Sequence, residues 1–491
     1  MNFGFITYII GWILNVQGIF LLVPCIVAMI YNEKSGIAFL ISSLISFAMG
    51  ILFTRKKPKN RSFYAKEGFI SVALGWIVLS ISGALPFIIS GEIPDIFNAL
   101  FESISGYTTT GATILSDVES LSKCVLFWRS FTHWVGGMGI LVFVLCILPL
   151  AEGNNMHLMR AESPGPSVGK LVPKMRSTAT ILYGIYIALT VLQCILLLFG
   201  KMSLFDAITT SLGTAGTGGF GIKNSSMAEY STYIQNVVAV FMVIFGVNFN
   251  IYFLLLVRKP KEILQSEELR TYLGIVLIST LIIGFNISSS FSSIWVAMQQ
   301  AFFQVASIIT TTGYATVDFN YWPSLSKFVL VALMFIGGCA GSTSGGIKVS
   351  RIVIAFKNLK NEIYSFVHPK RVQIIRLEGR KVGNDVVKSV SVYLVLYALI
   401  FAASVFLISI ENGSFETNFT SVAATFNNIG PGLDGVGPME NFGGFNPFSK
   451  CVFMFGMLAG RLELIPMIIL FSPWIWRNNR SYSQKSLKLT S

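Results

Sequence analysis

Tyr107-Thr108-Thr109-Thr110-Gly111-Ala112-Thr113 is the first of four short turns that decide how this chain folds. The others are Gly216-Thr217-Gly218-Gly219-Phe220-Gly221, Thr310-Thr311-Thr312-Gly313-Tyr314-Ala315-Thr316 and Asn427-Asn428-Ile429-Gly430-Pro431-Gly432. Each follows an apolar stretch, and each carries a glycine near its centre. A pore that strips water from a potassium ion needs rings of backbone carbonyls, and glycine lets the backbone aim them inward without a Cβ clash. Four such turns in one polypeptide predict four quarters of one ring.

The chain around the turns reads as membrane. Hydrophobic residues make up 53% of its 491 residues and charged ones 12%, and the mean hydropathy is +0.68. A soluble protein needs more polar surface than this. The length would allow two or three soluble domains, but the apolar stretches run almost end to end and predict one membrane domain. Residues 6–30 are too long for a signal-peptide core and have no basic flank before them, so they are expected to remain as a span.

Working outward from the turns, one unit recurs four times: a span, a segment too short to cross, the glycine turn and a returning span. The spans fall at 68–90 and 124–150, 178–200 and 234–257, 272–288 and 328–357, and 388–410 and 451–474. The short segments, 94–105, 204–212, 294–309 and 415–425, fit re-entrant half-helices. Their partial negative C-terminal ends would face the membrane centre and favour a cation there. Surface loops between ordinary helices would not explain why a similar turn follows each one. Two spans precede the units, 6–30 and 37–54, joined around Asn32 and Gly36. The expected architecture is an all-α polytopic membrane protein: two N-terminal spans plus four span–re-entrant pore loop–span repeats around one central pore. Its divisions would be 1–62, 63–160, 161–260, 261–370 and 371–491.

The net charge of +13 is distributed in step with the spans. Arg55, Lys56, Lys57, Lys59, Arg61 and Lys66 crowd one loop, and Arg160, Lys170, Lys174 and Arg176 another. Arg258, Lys259, Lys261 and Arg270 mark a third, and 348–388 a fourth. These are alternate loops, so the positive-inside rule puts them in the cytoplasm with both termini, the basic tail 477–488 agreeing. The alternation also argues against nucleic-acid binding. The intervening loops carry Glu92, Asp95, Glu102, Asp117, Glu119, Asp206, Glu229, Asp318, Glu411, Glu416, Asp434 and Glu440, a negative outer vestibule. Arg129, near the start of a span, is their one arginine.

Other motifs read as structure rather than chemistry. Cys25, Cys124, Cys146, Cys194, Cys339 and Cys451 lie in or beside apolar segments with no CxxC pair, as small buried hydrophobes do. His133, His157 and His368 are scattered and form no catalytic pair. Residues 216–221 match GxGxxG by letter, but no strand precedes them. Residues 341–348 imitate a phosphate loop but place Ile347 where its lysine belongs. The same glycine-rich stretch, 335–346, interrupts a returning span, and irregular backbone at that depth is tolerated only where it lines a cavity or is buried in protein. It is expected to lie under the filter as a constriction; a small-residue packing face is the alternative. Arg461 and Glu463 sit within the last span, where charge is costly unless it faces water or a partner. Arg461 is expected to face the pore, with a structural salt bridge as the alternative.

The four turns, together with Thr132-His133-Trp134-Val135-Gly136-Gly137-Met138-Gly139, Arg160-Ala161-Glu162-Ser163-Pro164-Gly165-Pro166 and the loop 337–348, closely resemble the Trk/Ktr/HKT cation-transporter superfamily. The resemblance covers essentially the whole chain, and the extra N-terminal span pair makes it most similar to the TrkH/TrkG type. It implies a potassium-selective pore subunit of a bacterial inner-membrane uptake system, with K+ as the transported ion and no organic cofactor. It also implies a homodimer gated by a cytosolic TrkA-like nucleotide-binding ring. The filter would comprise Thr109, Thr110, Gly111, Thr217, Gly218, Gly219, Thr311, Thr312, Gly313, Asn428, Ile429 and Gly430. The gate would comprise Gly337, Gly338, Gly341, Ser342, Gly345 and Gly346, with Arg461 as the pore charge. In this superfamily a serine replacing the first filter glycine goes with sodium permeation; that position here is Gly111. One departure stands out: Gly218 and Ile429 occupy the position held by Thr110 and Thr312, which predicts asymmetric side-chain contributions.

A membrane enzyme would need a His, Asp or Glu cluster with metal or acid-base spacing, and the sequence has none. A sodium- or proton-coupled secondary transporter should place acidic residues in several spans, whereas Glu463 alone lies clearly within one.

Overall fold

The computed structural model describes residues 2–58, 65–139, 175–368, 374–411 and 413–473. Cys146, His157, the motif 160–166, the basic residues Lys59, Arg61, Arg160, Lys170, Lys174, Lys370 and Arg371, and the tail 477–488 lie outside them. The described residues are mostly helical, with one two-stranded antiparallel hairpin, Arg376–Leu377 against Arg380–Lys381. Among the described residues six helices are long and apolar enough to cross a membrane: Phe3–Tyr31, Gly36–Thr54, Ala65–Ser90, Met175–Phe199, Glu267–Asn286 and Asn384–Ile408. They are the N-terminal pair and the entering helix of each repeat. The chain is an all-α, multi-pass membrane protein.

Each entering helix is followed by a short one: Ile96–Tyr107, Leu204–Gly216, Ile294–Ile309 and Phe415–Phe426. At 1.5 Å per residue these rise about 18–24 Å, less than the roughly 30 Å apolar core. Each starts at a capping side chain that satisfies an unpaired N–H of the first turn. Asp95 accepts from Asn98, Ser203 from Asp206, Ser293 from Val296 and Ser414 from Thr417.

The returning segments differ from expectation. Continuous spans were predicted at 124–150, 234–257 and 451–474, with an interruption only in the third repeat; in repeats 2, 3 and 4 the returning helix is broken. In repeat 2, Thr232–Phe245 and Phe249–Leu256 meet at 90°, with Asn248 capping the second piece. In repeat 3, Ser324–Ile336 and Val349–Val367 flank the glycine-rich loop. In repeat 4, Pro447–Arg461 and Ile465–Phe471 are parted where Glu463 and Leu464 take positive φ. Asn248 at the repeat 2 break, and Arg461 and Glu463 at the repeat 4 break, are too few polar residues to end an apolar span by hydropathy, so the pattern does not reveal them. In repeat 1, Lys123–Met138 ends at Gly139, beyond which the described residues stop.

The largest apolar core packs the N-terminal pair against repeats 1 and 4 through Phe5, Ile9, Ile13, Trp76, Phe101, Trp128, Phe426 and Phe453. The N-terminal helices approach closely because Gly18 lies flat against the Phe47 ring and Gly50 against Asn15, with the Ser43 hydroxyl donating to the Gly18 carbonyl at 2.7 Å.

Not all outer acidic residues form a vestibule. Glu102 is fully buried and accepts from Arg129 Nε at 2.8 Å, so it and Arg129 form an internal pair rather than surface charge. Glu92 accepts from the backbone and hydroxyl of Ser122, and Glu33 from the amides of Lys123 and Cys124, so both close the N-terminus of the first returning helix. Glu411 does the same for the last, accepting from Asn446 N and the Ser449 hydroxyl. Asp117, Glu119 and Asp434 are exposed. Hydrogen bonds from Asn224 to Asp117, and from Ser414 and Thr417 to Asp434, hold both carboxyls below their usual range, so they stay ionised at neutral pH.

A buried ion pair costs most when one partner is removed. Glu102→Ala is expected to lower stability by about 3–5 kcal/mol, and the joint change Glu102→Leu with Arg129→Met by less. Thermal melting of the detergent-purified variants checks the order.

Candidate functional site

Each short helix ends in the same way. Its last turn is closed by a residue in the left-handed region: Thr109 (φ 55°), Thr217 (54°), Thr311 (56°) and Asn428 (57°). The next N–H then reaches back five residues: Thr110 to Ser105, Gly218 to Gly213, Thr312 to Ser307 and Ile429 to Ala424, at 2.9, 3.0, 2.8 and 2.8 Å. This is the hydrogen-bond pattern of a glycine-type helix terminus, built here with three threonines and an asparagine. A β-branched residue at positive φ is strained, and such strain persists where the surroundings impose it. After one residue of ordinary φ come Gly111 (78°), Gly219 (75°), Gly313 (86°) and Gly430 (102°), again positive. Alternating hands turn successive peptide planes so that neighbouring carbonyls face one side.

The four turns close into a ring. A Cβ on Gly111 would strike the carbonyl oxygen of Gly218, one on Gly219 that of Thr312, and one on Gly313 that of Ile429. On Gly430 it would lie 2.9 Å from the oxygen of Thr110, which returns the circuit to its start. Each glycine thus touches the preceding-position carbonyl of the next repeat, in the order 1, 2, 3, 4, 1. All twelve sequence-predicted filter residues are brought together here. Among the described residues no N–H or O–H donates to any of their twelve backbone carbonyls.

Side chains brace the turns from behind. Thr108 Oγ1 pairs with Thr110 Oγ1 at 2.8 Å and Thr310 with Thr312 at 2.7 Å, and both lower threonines bond back to their own helices. Asn428 donates to Thr110 Oγ1 and to the Met457 carbonyl, both at 2.9 Å. From the N-terminal pair, Gln17 meets the Tyr107 hydroxyl, fully buried.

The loop after Ser324–Ile336 touches parts of repeats 2, 3 and 4, and Arg461 links it to repeat 1. Within it, Gly337, Gly341 and Gly346 have positive φ. Cys339 N donates to Gly246 O at 2.9 Å and Phe249 N to Gly341 O at 3.1 Å, tying it to the break in repeat 2. Gly345 N donates to the Thr311 hydroxyl at 2.6 Å, directly behind the repeat 3 turn, and Gly345 lies against the Asn427 carbonyl of repeat 4. Gly338 packs on the Ser344 side chain, and Ser342 is buried, its hydroxyl donating to Cys339 O. Arg461 donates to Thr343 O at 2.7 Å and to Gly136 O and Gly137 O of repeat 1 at 2.6 and 2.7 Å. In a ring of order 1, 2, 3, 4, repeats 1 and 3 are opposite, so Arg461 bridges across the ring. It also settles the loop rather than standing as an isolated charge. Glu463 pairs with Arg351, whose guanidinium lies 4.0 Å from the Tyr393 ring centre.

Several of these partners were not anticipated. Glu268, the second residue of the helix Glu267–Asn286 and only 4% exposed, accepts from Ala340 N at 2.7 Å and Ser350 N at 3.2 Å and so ties the loop to the start of the helix that follows it. Lys348 is buried with its ammonium on the Ser344 carbonyl. Neither residue carries a motif; only the fold brings them to the loop. Among the described residues no group of three or more His, Cys, Asp or Glu has metal-binding geometry.

The TrkH family profile, described as cation transport protein, matches residues 35–478. This chain belongs to the TrkH family. It is 39% identical over 487 residues to the Trk system potassium uptake protein TrkH of Escherichia coli K12, covering 97% of this chain and 100% of that one. It is 35% identical to the Trk system potassium uptake protein TrkG of the same strain, covering 96% and 98%. The crystal structure of the potassium transporter TrkH from Vibrio parahaemolyticus superposes with a TM-score of 0.87 at 34% identity, covering 97% of this chain and 100% of that one.

The ring contact makes a prediction about this TrkH-family chain. Gly111→Ser adds a Cβ at φ 78° against the Gly218 carbonyl and should widen the ring at that point. Potassium-over-sodium flux should fall; an unchanged ratio in well-folded protein would remove Gly111 from the filter.

Proposed function

We propose that this chain is the potassium-conducting pore subunit of a Trk-type uptake system in the bacterial inner membrane, with both termini cytoplasmic. The observation that carries the reading is the closed ring of four equivalent turns whose carbonyls have no donor. Buried carbonyls without a donor are costly, and a dehydrated monovalent cation is the partner that supplies what water supplied outside. The filter comprises Thr109, Thr110 and Gly111 with their counterparts 217–219, 311–313 and 428–430. Flux into liposomes containing the purified protein tests this: potassium entry should follow its gradient and exceed sodium entry. Absence of potassium flux from well-folded protein would overturn it.

The loop 337–346 is the gate, and Arg461 its latch. Contacts with repeats 2, 3 and 4, and the link through Arg461 to repeat 1, support a place on the pore axis, and its shared bonds with the repeat 2 break give it something to move against. Its glycines permit positive φ, so it rearranges without passing Cβ atoms through the filter. Deleting residues within the loop should raise potassium flux. Arg461→Ala and Glu268→Gln should raise it less, since each releases one attachment and leaves the loop in place. Selectivity should survive all three, because the carbonyl ring is untouched. If the shortened, folded protein conducts no better than the parent, the loop is packing rather than gate.

The functional unit is a homodimer controlled by a cytosolic TrkA-like nucleotide-binding ring. The basic cytoplasmic segment 370–381 is its contact, a reading supported by the exposed hairpin that carries Arg376, Arg380 and Lys381. Pull-down with such a ring should recover a complex that weakens with salt and with neutralisation of Lys370, Arg371 and Arg376. Insensitivity to salt and to all three changes would move the contact elsewhere.

A further inference from the structure

The turn of repeat 2 lacks what holds the turns of repeats 1 and 3. Where those have the hydroxyl pairs Thr108–Thr110 and Thr310–Thr312, repeat 2 has Gly216 and Gly218. Both glycines face the same residue of the neighbouring repeat. A Cβ on Gly216 would strike the backbone carbonyl of His133, and one on Gly218 would strike its imidazole. His133 is fully buried on the first returning helix, Lys123–Met138. That helix comes close enough because Gly136 lies against the Tyr107 carbonyl and Gly137 against Gly216.

The imidazole bonds on both sides. Phe220 N–H donates to Nε2 at 3.2 Å, so Nε2 carries no proton. Nδ1 therefore carries it and donates to Gly106 O at 2.8 Å, at the end of the repeat 1 short helix. The ring also rests on Phe220, centroids 4.2 Å apart. One neutral side chain thus joins the residue just past the repeat 2 glycine to the helix that carries the repeat 1 turn. In repeat 4, Gly460 meets Phe426 O as Gly136 meets Tyr107 O, and by that register Met457 stands where His133 does. Repeat 4 faces repeat 1, whose turn keeps both threonines and needs no such brace.

We propose that His133 is a positioning residue for ion selectivity: it replaces, from the neighbouring repeat, the threonine pair that repeat 2 lacks, and sets the spacing of the Gly218 carbonyl in the ring. This rests on the potassium-pore reading above. Removing the brace should let one quarter of the ring relax and accept a smaller ion with less penalty.

The experiment measures potassium and sodium flux in liposomes for the parent and for matched variants of verified fold. If the parent carries no potassium, the pore reading itself fails, independently of His133. Given a selective parent, His133→Ala should lower the potassium-to-sodium ratio about tenfold, the scale of one buried hydrogen bond. Adding Gly218→Thr to His133→Ala should recover selectivity, because the space vacated by the imidazole admits its side chain; Gly216 stays unchanged, since a Cβ there meets the backbone carbonyl that the alanine variant keeps. A purely structural role would change protein yield and total flux together and would not be rescued in the ratio. Should His133→Ala not fold, His133→Gln and His133→Leu replace it: glutamine keeps a hydrogen-bonding end near Phe220 N and leucine does not. Selectivity retained by glutamine and lost with leucine supports the brace. Equal selectivity in the parent and in the folded alanine or leucine variant, or failure of Gly218→Thr to restore the ratio, overturns it.

Discussion

Twelve inward carbonyls without a donor are the constraint around which the rest of the protein is arranged. A buried carbonyl left without a partner costs on the order of 1–3 kcal/mol, and parallel carbonyl dipoles also repel one another. The turns would collapse onto their own N–H groups if those groups were available. In every repeat the two N–H groups that precede the glycine are already committed backward to the short helix, by bonds of three and five residues. The left-handed residue before each glycine makes that backward pairing possible. Strain at Thr109, Thr217 and Thr311 is thus the local cost of keeping the carbonyls free.

Holding four strained turns in register requires support from outside each repeat. The glycines bring backbones together around the ring, so any displacement of one turn is felt by the next through direct contact rather than through solvent. Behind the ring the supports are polar and individually different: Gln17 from the N-terminal pair, Asn428 across the seam between repeats 4 and 1, and His133 across the seam between repeats 1 and 2. Such satisfied buried networks rigidify a structure, since each unpaired member would be expensive in low dielectric. The break in repeat 2 frees Gly246 O and Phe249 N, and the glycine-rich loop uses both, through Cys339 N and Gly341 O.

The ring and its short helices were legible in the sequence because both have local causes. A glycine after Thr or Asn, a capping residue twelve or more positions earlier and an apolar segment too short to cross are all readable along the chain. The breaks at 246–248 and 462–464 were not, because the apolar runs resume beyond them; Arg461 and Glu463 were visible as charges in a span, but not as the point where the helix breaks. Glu102 and Arg129 misled for a related reason. Read along the chain they are loop charges, whereas the fold buries them together. Gly218 was visible as a departure from the pattern, but His133, the residue that packs against it, lies more than eighty positions earlier and read along the chain only as a scattered histidine with no catalytic partner.

A tetrameric pore must use one sequence for all four quarters, so any support that leans on a neighbour is repeated four times and any asymmetric one is excluded. Four repeats in one chain remove that restriction. Here one quarter gives up its own hydroxyl brace and takes one from next door, another replaces threonine with Ile429 packed in an apolar cluster, and one returning helix alone carries the long glycine loop. The loop is also asymmetric in its attachments: Thr311 above, Glu268 at Ala340 and Arg461 from the far side. A single loop in a fused chain needs to cross the axis only once, whereas four symmetric copies would collide there. Internal repetition supplies the ring, and divergence between the repeats lets a glycine-rich loop attach unequally to repeats 2, 3 and 4.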